Sequence, residues 1–283
     1  MQGMVKKCIA LVSLLALILV LALRYCTEPP IPEAESPVTA APTAVLPPRE
    51  TPMPTASAAP AEPEAERPKT LAILGDSYSA FKGYIDPESN VAYYPISDPD
   101  TEGRYNDVEN PEEMWWYLFA REQGYTIVQN DSYSGSPVCY DGPYAGTKDA
   151  REYSYVRRCT SLRSADLVII EGGTNDSFLG VSVGEYKYEN WEEADFESFR
   201  SACAFVVSTL RNANPEGTVI FMLNHGLRAD ITESVLTICA HYSVPVLRLE
   251  GIEKQNNHPD IEGMVQIKDQ LCSLLDSIKE NES

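Results

Sequence analysis

Four short polar stretches carry the residue types that acyl transfer needs, and they occur in a fixed order along the chain. Gly75-Asp76-Ser77 offers a hydroxyl directly after an apolar run. Asn130-Asp131-Ser132-Tyr133-Ser134-Gly135 crowds small residues together where a backbone must approach something closely, and Gly135 can turn its N–H toward a developing oxyanion. Gly172-Gly173-Thr174-Asn175-Asp176 brings a neutral side-chain donor, Asn175, to the same task. His258, in His258-Pro259-Asp260, is a base whose ordinary titration lies close to neutral pH. Taken singly, each stretch also reads as turn chemistry or a solvated loop. Taken together, a nucleophile, a base and two oxyanion donors are the parts of acyl transfer. The G-x-S-x-G elbow of the α/β-hydrolases is absent, which argues against that fold.

Those stretches need elements that hold them at one edge. Apolar runs over 70–74 (TLAIL), 126–129 (TIVQ), 166–170 (DLVII), 218–223 (TVIFML) and 244–249 (VPVLRL) read as strands. Amphipathic stretches over 112–123, 196–212, 231–242 and 264–278 read as helices, the first ended by Gly124. Alternating strands and helices with continuously apolar strands predict an α/β domain, a three-layer α/β/α sandwich around a mostly parallel five-stranded sheet. Ligands of such sheets sit beyond the carboxyl ends of the strands. Ser77, Gly135 and Asn175 each follow a strand, and His258 precedes the last helix. Residues 80–110 form a long Tyr- and Asp-rich insertion, a length that predicts a functional lid or binding loop.

Charge and composition restrict the partners. The formal net charge is −20, of which +3 falls on residues 1–26 and −4 on 27–69. The remaining acidity repels phosphate backbones, so nucleic acid is not an expected partner. Residues 27–69 hold 12 of the 21 prolines among Ala, Thr, Ser and Glu, a composition expected to be a disordered stalk. Lys6 and Lys7 precede an apolar run over 8–23, so residues 1–26 read as a signal anchor or a signal peptide, with the rest of the chain outside the cytoplasm. A membrane partner is expected only through that segment. Cys139 and Cys159 lie in loop-like polar surroundings and could oxidise to a disulfide outside the cytoplasm. Cys203, Cys239 and Cys272 read as small core residues. No cysteine or histidine cluster has metal-ligand spacing, and no cofactor is expected.

The blocks LGDSYS, NDSYSG, GGTND and HPD together resemble the SGNH (GDSL-like) hydrolase family across 70–283. The resemblance implies a flavodoxin-like SGNH hydrolase fold, with Ser77 as nucleophile and His258 as general base. It further implies an oxyanion hole from Ser77, Gly135 and Asn175. The family usually places an Asp three residues before the histidine, where this chain has Gln255. Gln255, Glu253 or a backbone carbonyl is left to orient the imidazole. His225 follows the fourth strand and is a candidate substrate contact, whereas His241 sits on a helix and reads as structural. Trp115 and Trp116 cannot share a helix face, so one is core and Trp115 is a candidate to face the cleft. The expected activity is hydrolysis of small acyl esters, acetyl foremost, on an acylated small molecule or extracellular carbohydrate. A cell-surface O-acyltransferase on the same scaffold, or a non-catalytic glycan-binding relative, are the rival readings.

Overall fold

The apolar runs pair into one sheet in the computed structural model, which describes residues 67–96, 105–142 and 149–282. Strands β1 (Lys69–Gly75), β2 (Tyr125–Ser132), β3 (Leu167–Glu171), β4 (Thr218–Leu223) and β5 (Val246–Arg248) lie in the order β2-β1-β3-β4-β5. Every pairing is parallel. The helices are α1 (Trp115–Gln123), α2 (Ala150–Tyr153), α3 (Tyr155–Arg158), α4 (Thr174–Leu179), α5 (Phe199–Ala213), α6 (Ala229–His241) and α7 (Ile261–Glu282). A small hairpin, β6 (Lys254–Gln255) with β7 (His258–Pro259), precedes α7.

Strand side chains alternate between two apolar layers, which is why these strands read as unbroken apolar runs. Leu71, Ile73, Leu167, Ile169, Ile220 and Met222 pack with Trp115 and Phe119 of α1 and with Met264, Ile267 and Leu271 of α7. Ala72, Leu74, Val168, Ile170, Val219 and Phe221 pack with Phe199, Cys203, Val206 and Leu210 of α5 and Ile231, Val235 and Ile238 of α6. Each such large side chain contributes about 1.5–3 kcal/mol on burial, so the two layers hold the strand ends firmly. Among the described residues the expected three-layer α/β/α architecture is what forms.

Three boundaries differ from expectation. Strand β2 runs on through Asn130, Asp131 and Ser132, which are buried yet polar. Their partners make this possible: Asn90 Nδ2 donates to Asp131 Oδ1 at 2.8 Å, and Asn130 Nδ2 donates to the Ser79 carbonyl at 3.0 Å. Helix α1 starts at Trp115, because Pro111–Glu113 forms a separate 3-10 turn capped reciprocally by Asn110 and Glu113. Helix α7 begins at Ile261, whose N–H donates to Asp107 Oδ1 at 2.9 Å from the insertion.

The suggested Cys139–Cys159 disulfide is absent. All five cysteines of the domain are free and buried. The Cys139 thiol contacts Asp176 Oδ1 at 3.4 Å and the Cys159 thiol contacts the Val156 carbonyl at 3.4 Å, so each is satisfied separately. The expected anchor over 1–26, and all but the last three residues of the expected stalk over 27–69, lie outside the described residues. Among the described residues no helix is long and apolar enough to cross a membrane.

Candidate active site

Ser77 leaves the end of β1 in a tight turn and is only 6% exposed. From there the chain enters the long insertion. The turn is made by Asp76, whose Oδ1 accepts the Tyr78 N–H at 3.0 Å, an Asx turn. The Ser77 Oγ lies 2.9 Å from Nε2 of His258, a residue 181 positions later.

His258 is aimed by the hairpin that carries it. Asn256 and Asn257, the two residues between β6 and β7, have φ of 50° and 63°. Consecutive left-handed residues make a two-residue loop whose twist suits a hairpin, and asparagine tolerates that conformation. The turn brings the Asn256 carbonyl to 3.0 Å from His258 Nδ1. A carbonyl can only accept, so Nδ1 carries the proton and Nε2 faces Ser77 with its lone pair. The ring of Tyr93 stacks on the imidazole, with centroids 3.5 Å apart and planes 13° apart.

Neither side chain proposed as the orienting partner fills that role. The Gln255 amide is engaged by Asp107, accepting from its N–H at 3.0 Å and donating to its Oδ2 at 3.2 Å. Glu253 is exposed, and its backbone N–H donates to Gln266 at 2.8 Å. Antiparallel pairing sets Gln255 opposite His258, and its amide is held by Asp107. The imidazole is instead met by a backbone carbonyl, the third possibility that the sequence left open.

The insertion therefore braces the histidine hairpin. Tyr94 donates its hydroxyl to the Pro259 carbonyl at 2.8 Å, and Asn106 Nδ2 donates to the same carbonyl at 3.1 Å. Tyr78 donates to the Asn257 carbonyl at 2.9 Å and accepts from Asn224 Nδ2 at 2.9 Å. Both tryptophans serve the same frame. Trp115 and Trp116 are fully buried, and their indole N–H groups bond Ser79 Oγ at 3.2 Å and Ser79 O at 3.0 Å. Trp115 is thus a support of the serine turn and does not face the cleft.

Asn175 reaches the serine turn, and Gly135 shapes the neighbouring turn that Asn175 also meets. The Ser136 N–H donates to the Tyr133 carbonyl at 3.1 Å with Gly135 at φ 81°, the third position of a turn that requires positive φ. Asn175 Nδ2 donates to Ser136 O at 3.0 Å and to Asp76 Oδ2 at 3.2 Å, tying all three blocks together.

Behind them lies a buried ionic layer that sequence reasoning did not find. Burial pushes the Asp76 carboxyl up to about 6, partly offset by its hydrogen bonds and by Arg158. Glu171, which accepts the Asp76 N–H at 3.1 Å, is raised as well, by burial and by Asp76. Arg158 Nη2 donates to Gly75 O at 3.1 Å and Ser136 Oγ at 2.9 Å, and its Nη1 pairs with Asp131 at 3.0 Å. Asp176, raised to about 6 by burial, accepts the Val138 N–H at 2.9 Å and holds the segment after Gly135. Of these, Asp76, Asp131 and Asp176 lie inside the motifs that were read, but only burial reveals their work.

The open cleft above Ser77 and His258 measures about 670 Å³ and is lined also by Tyr78, Tyr93, Asn175, Phe178, Asn224, His225 and Lys254. His225 is thus at the cleft, as expected; burial, then Lys254, lowers its pKa. His241 stacks on Tyr188 at 3.9 Å, a structural role. Phe178 stands 89% exposed at the rim. Among the described residues no cluster of His, Cys, Asp and Glu is gathered that could hold a metal ion. A hydroxyl in contact with an oriented imidazole, with the Asn175 amide in the same cleft, is an arrangement able to form and hydrolyse an acyl intermediate.

Sheet order and site together define an α/β/α ester-bond hydrolase. The chain matches the family described as GDSL-like Lipase/Acylhydrolase over residues 69–275, and it belongs to that family. A GDSL-like lipase from Bacteroides ovatus is 35% identical with a TM-score of 0.69, over 75% of this chain and 100% of that one. Another, from Bacteroides uniformis, is 37% identical with a TM-score of 0.69, over 74% of this chain and 96% of that one. A carbohydrate esterase is 17% identical with a TM-score of 0.53, over 75% and 69% of the two chains, a likeness of fold alone. No curated protein matches the chain.

Proposed function

We propose that this chain is an extracytoplasmic serine esterase that removes small acyl groups, acetyl foremost, from carbohydrate. The observation that carries the mechanism is the 2.9 Å contact between Ser77 Oγ and His258 Nε2, with Nδ1 held by the Asn256 carbonyl. His258 takes the Ser77 proton as Oγ attacks the ester carbonyl. The imidazolium donates through Nδ1 to the carbonyl of Asn256 and is sandwiched against Tyr93. The oxyanion is met by the N–H groups of Ser77 and Gly135 and by the Asn175 amide, which gives up its 3.2 Å bond to Asp76 to do so. His258 then returns the proton to the leaving alcohol, and water, activated by the same imidazole, releases the acid.

The lining favours sugar over lipid. Ser77, Thr174, Asn175, Ser177, Asn224, His225 and Lys254 present polar atoms to the cleft, while Phe178 supplies one aromatic face for a sugar ring. Location outside the cytoplasm rests on Lys6, Lys7 and the apolar run over 8–23. A fluorophosphonate probe tests the mechanism: labelling should map to Ser77 and vanish in Ser77→Ala. An unlabelled Ser77 in a folded, soluble protein would refute it.

A further inference from the structure

Lys254 lies in the same cleft as Ser77 and His258, on the strand that leads into the histidine hairpin. Its ammonium is 3.2 Å from Asn224 Oδ1 and 5.3 Å from the centroid of the Tyr78 ring. That ring is in turn 5.4 Å from the imidazole of His258. A group held at Lys254 therefore lies in the same cleft as Ser77, with only the Tyr78 ring between the ammonium and the imidazole.

The surroundings of this lysine differ from those of its peers. Among the described residues, Lys187, Lys254 and Lys268 are the half-buried lysines. Lys187 has a carboxylate of Asp195 at 2.6 Å and Lys268 one of Glu122 at 2.7 Å. Lys254 has a neutral amide and a neutral ring, and no ion pair of it is found among the described residues. Burial lowers its pKa, with Glu171 acting weakly the other way. In a chain of net charge −20, a half-buried cation without a carboxylate is a vacant half of an ion pair.

We propose that Lys254 receives a carboxylate carried by the ester substrate, so that the cleft selects acidic esters, foremost acylated uronic acid residues, over neutral ones. The inference rests on the esterase reading above for its substrate, but binding tests it independently. Hydrogen bonds to charged groups are strong enough to favour the charged ligand by about tenfold.

The test uses the full chain carrying Ser77→Ala, which binds esters without turning them over. Calorimetric titration compares methyl O-acetyl-glucuronoside, methyl O-acetyl-glucoside and the hemisuccinate ester of methyl glucoside. The charged ligands should bind about tenfold more tightly than the neutral one. Tighter binding of the uronoside alone places the anion on the sugar; tighter binding of the hemisuccinate alone places it on the acyl group. Adding Lys254→Met should abolish the preference, and Lys254→Arg should keep most of it. Equal binding of all three ligands by the Ser77→Ala protein overturns the proposal even if Lys254→Met fails to fold. An undiminished preference in a folded Lys254→Met protein overturns it too. Hydrolysis of p-nitrophenyl acetate by the unaltered chain reports separately on the esterase reading, so the two cannot fail unnoticed together.

Discussion

Substituting Gln255 by glutamate examines the brace under His258, the proposed base. The Gln255 amide donates to Asp107 Oδ2 at 3.2 Å and accepts from the Asp107 N–H at 3.0 Å. Gln255→Glu preserves the shape and the acceptor but turns the donor into a carboxylate oxygen facing Asp107. Two things are lost at once. A hydrogen bond to a charged acceptor disappears, about 1.5–3 kcal/mol, and two like charges meet at a half-buried site, costing about 1–4 kcal/mol at such range. Solvent screening and relaxation reduce the sum, and about 2–3 kcal/mol is a reasonable net figure. For a domain of this size that lowers the thermal midpoint by about 5–10 °C. The facing carboxyls bind a proton more tightly folded than unfolded, so the deficit is full at pH 7 and shrinks as pH falls and one is protonated. Thermal unfolding across pH 4–8, with kcat on p-nitrophenyl acetate, measures both arms. A variant with an unchanged midpoint and a raised kcat would refute this reasoning, because it would mean that residue 255 reaches His258 rather than Asp107.

Ser77→Ala should abolish ester hydrolysis while moving the thermal midpoint by no more than a few degrees, since its hydroxyl meets His258 and leaves packing untouched; retained turnover would sink the mechanism. Asn175→Ala should lower kcat by about 10²–10³ with a smaller change in KM, the usual cost of one oxyanion donor, measured beside its midpoint because the amide also ties Asp76 to Ser136. Stability should rise as pH drops from 7.5 to 5. Asp76 and Asp176 are raised from 3.8 to about 6 by burial, so the folded state keeps protons that the unfolded state releases. That contribution is present below pH 3.8 and is lost as pH climbs through about 6; a midpoint that falls steadily between pH 7.5 and 5 would contradict it.

Much of the sheet could be read in the chain because its strands are apolar on both faces and its helices on one. What escaped was polar and buried. The run over 126–129 stops where Asn130 and Asp131 begin, and only their partners Asn90, Ser79 and Arg158 explain why β2 continues. Ser77, Gly135, Asn175 and His258 were found by type and order, since turn-formers at strand ends are a local signal. The hydrogen-bond partner of His258 Nδ1 was not, because a backbone carbonyl leaves no mark on residue identity. The one available clue was Asn256-Asn257, a pair suited to consecutive positive φ. Trp115 went astray for a similar reason: two adjacent indoles must diverge on a helix, yet here the serine turn reaches around to meet both.

The histidine hairpin is spliced to the body by its tail, and that sets an order of events. Ser77 follows the first strand, β1, and is made early, whereas its partner His258 arrives 181 residues later. A chain emerging N-terminus first can pair β1 with β2 and β3 long before it holds any competent hydrolase. Only when α7 has docked on α1 and Asp107 has closed on the N–H of Ile261 does the imidazole come to the hydroxyl. On the proposed mechanism an unfinished or partly folded copy is therefore chemically silent, and reactivity at Ser77 doubles as a gauge of completed assembly.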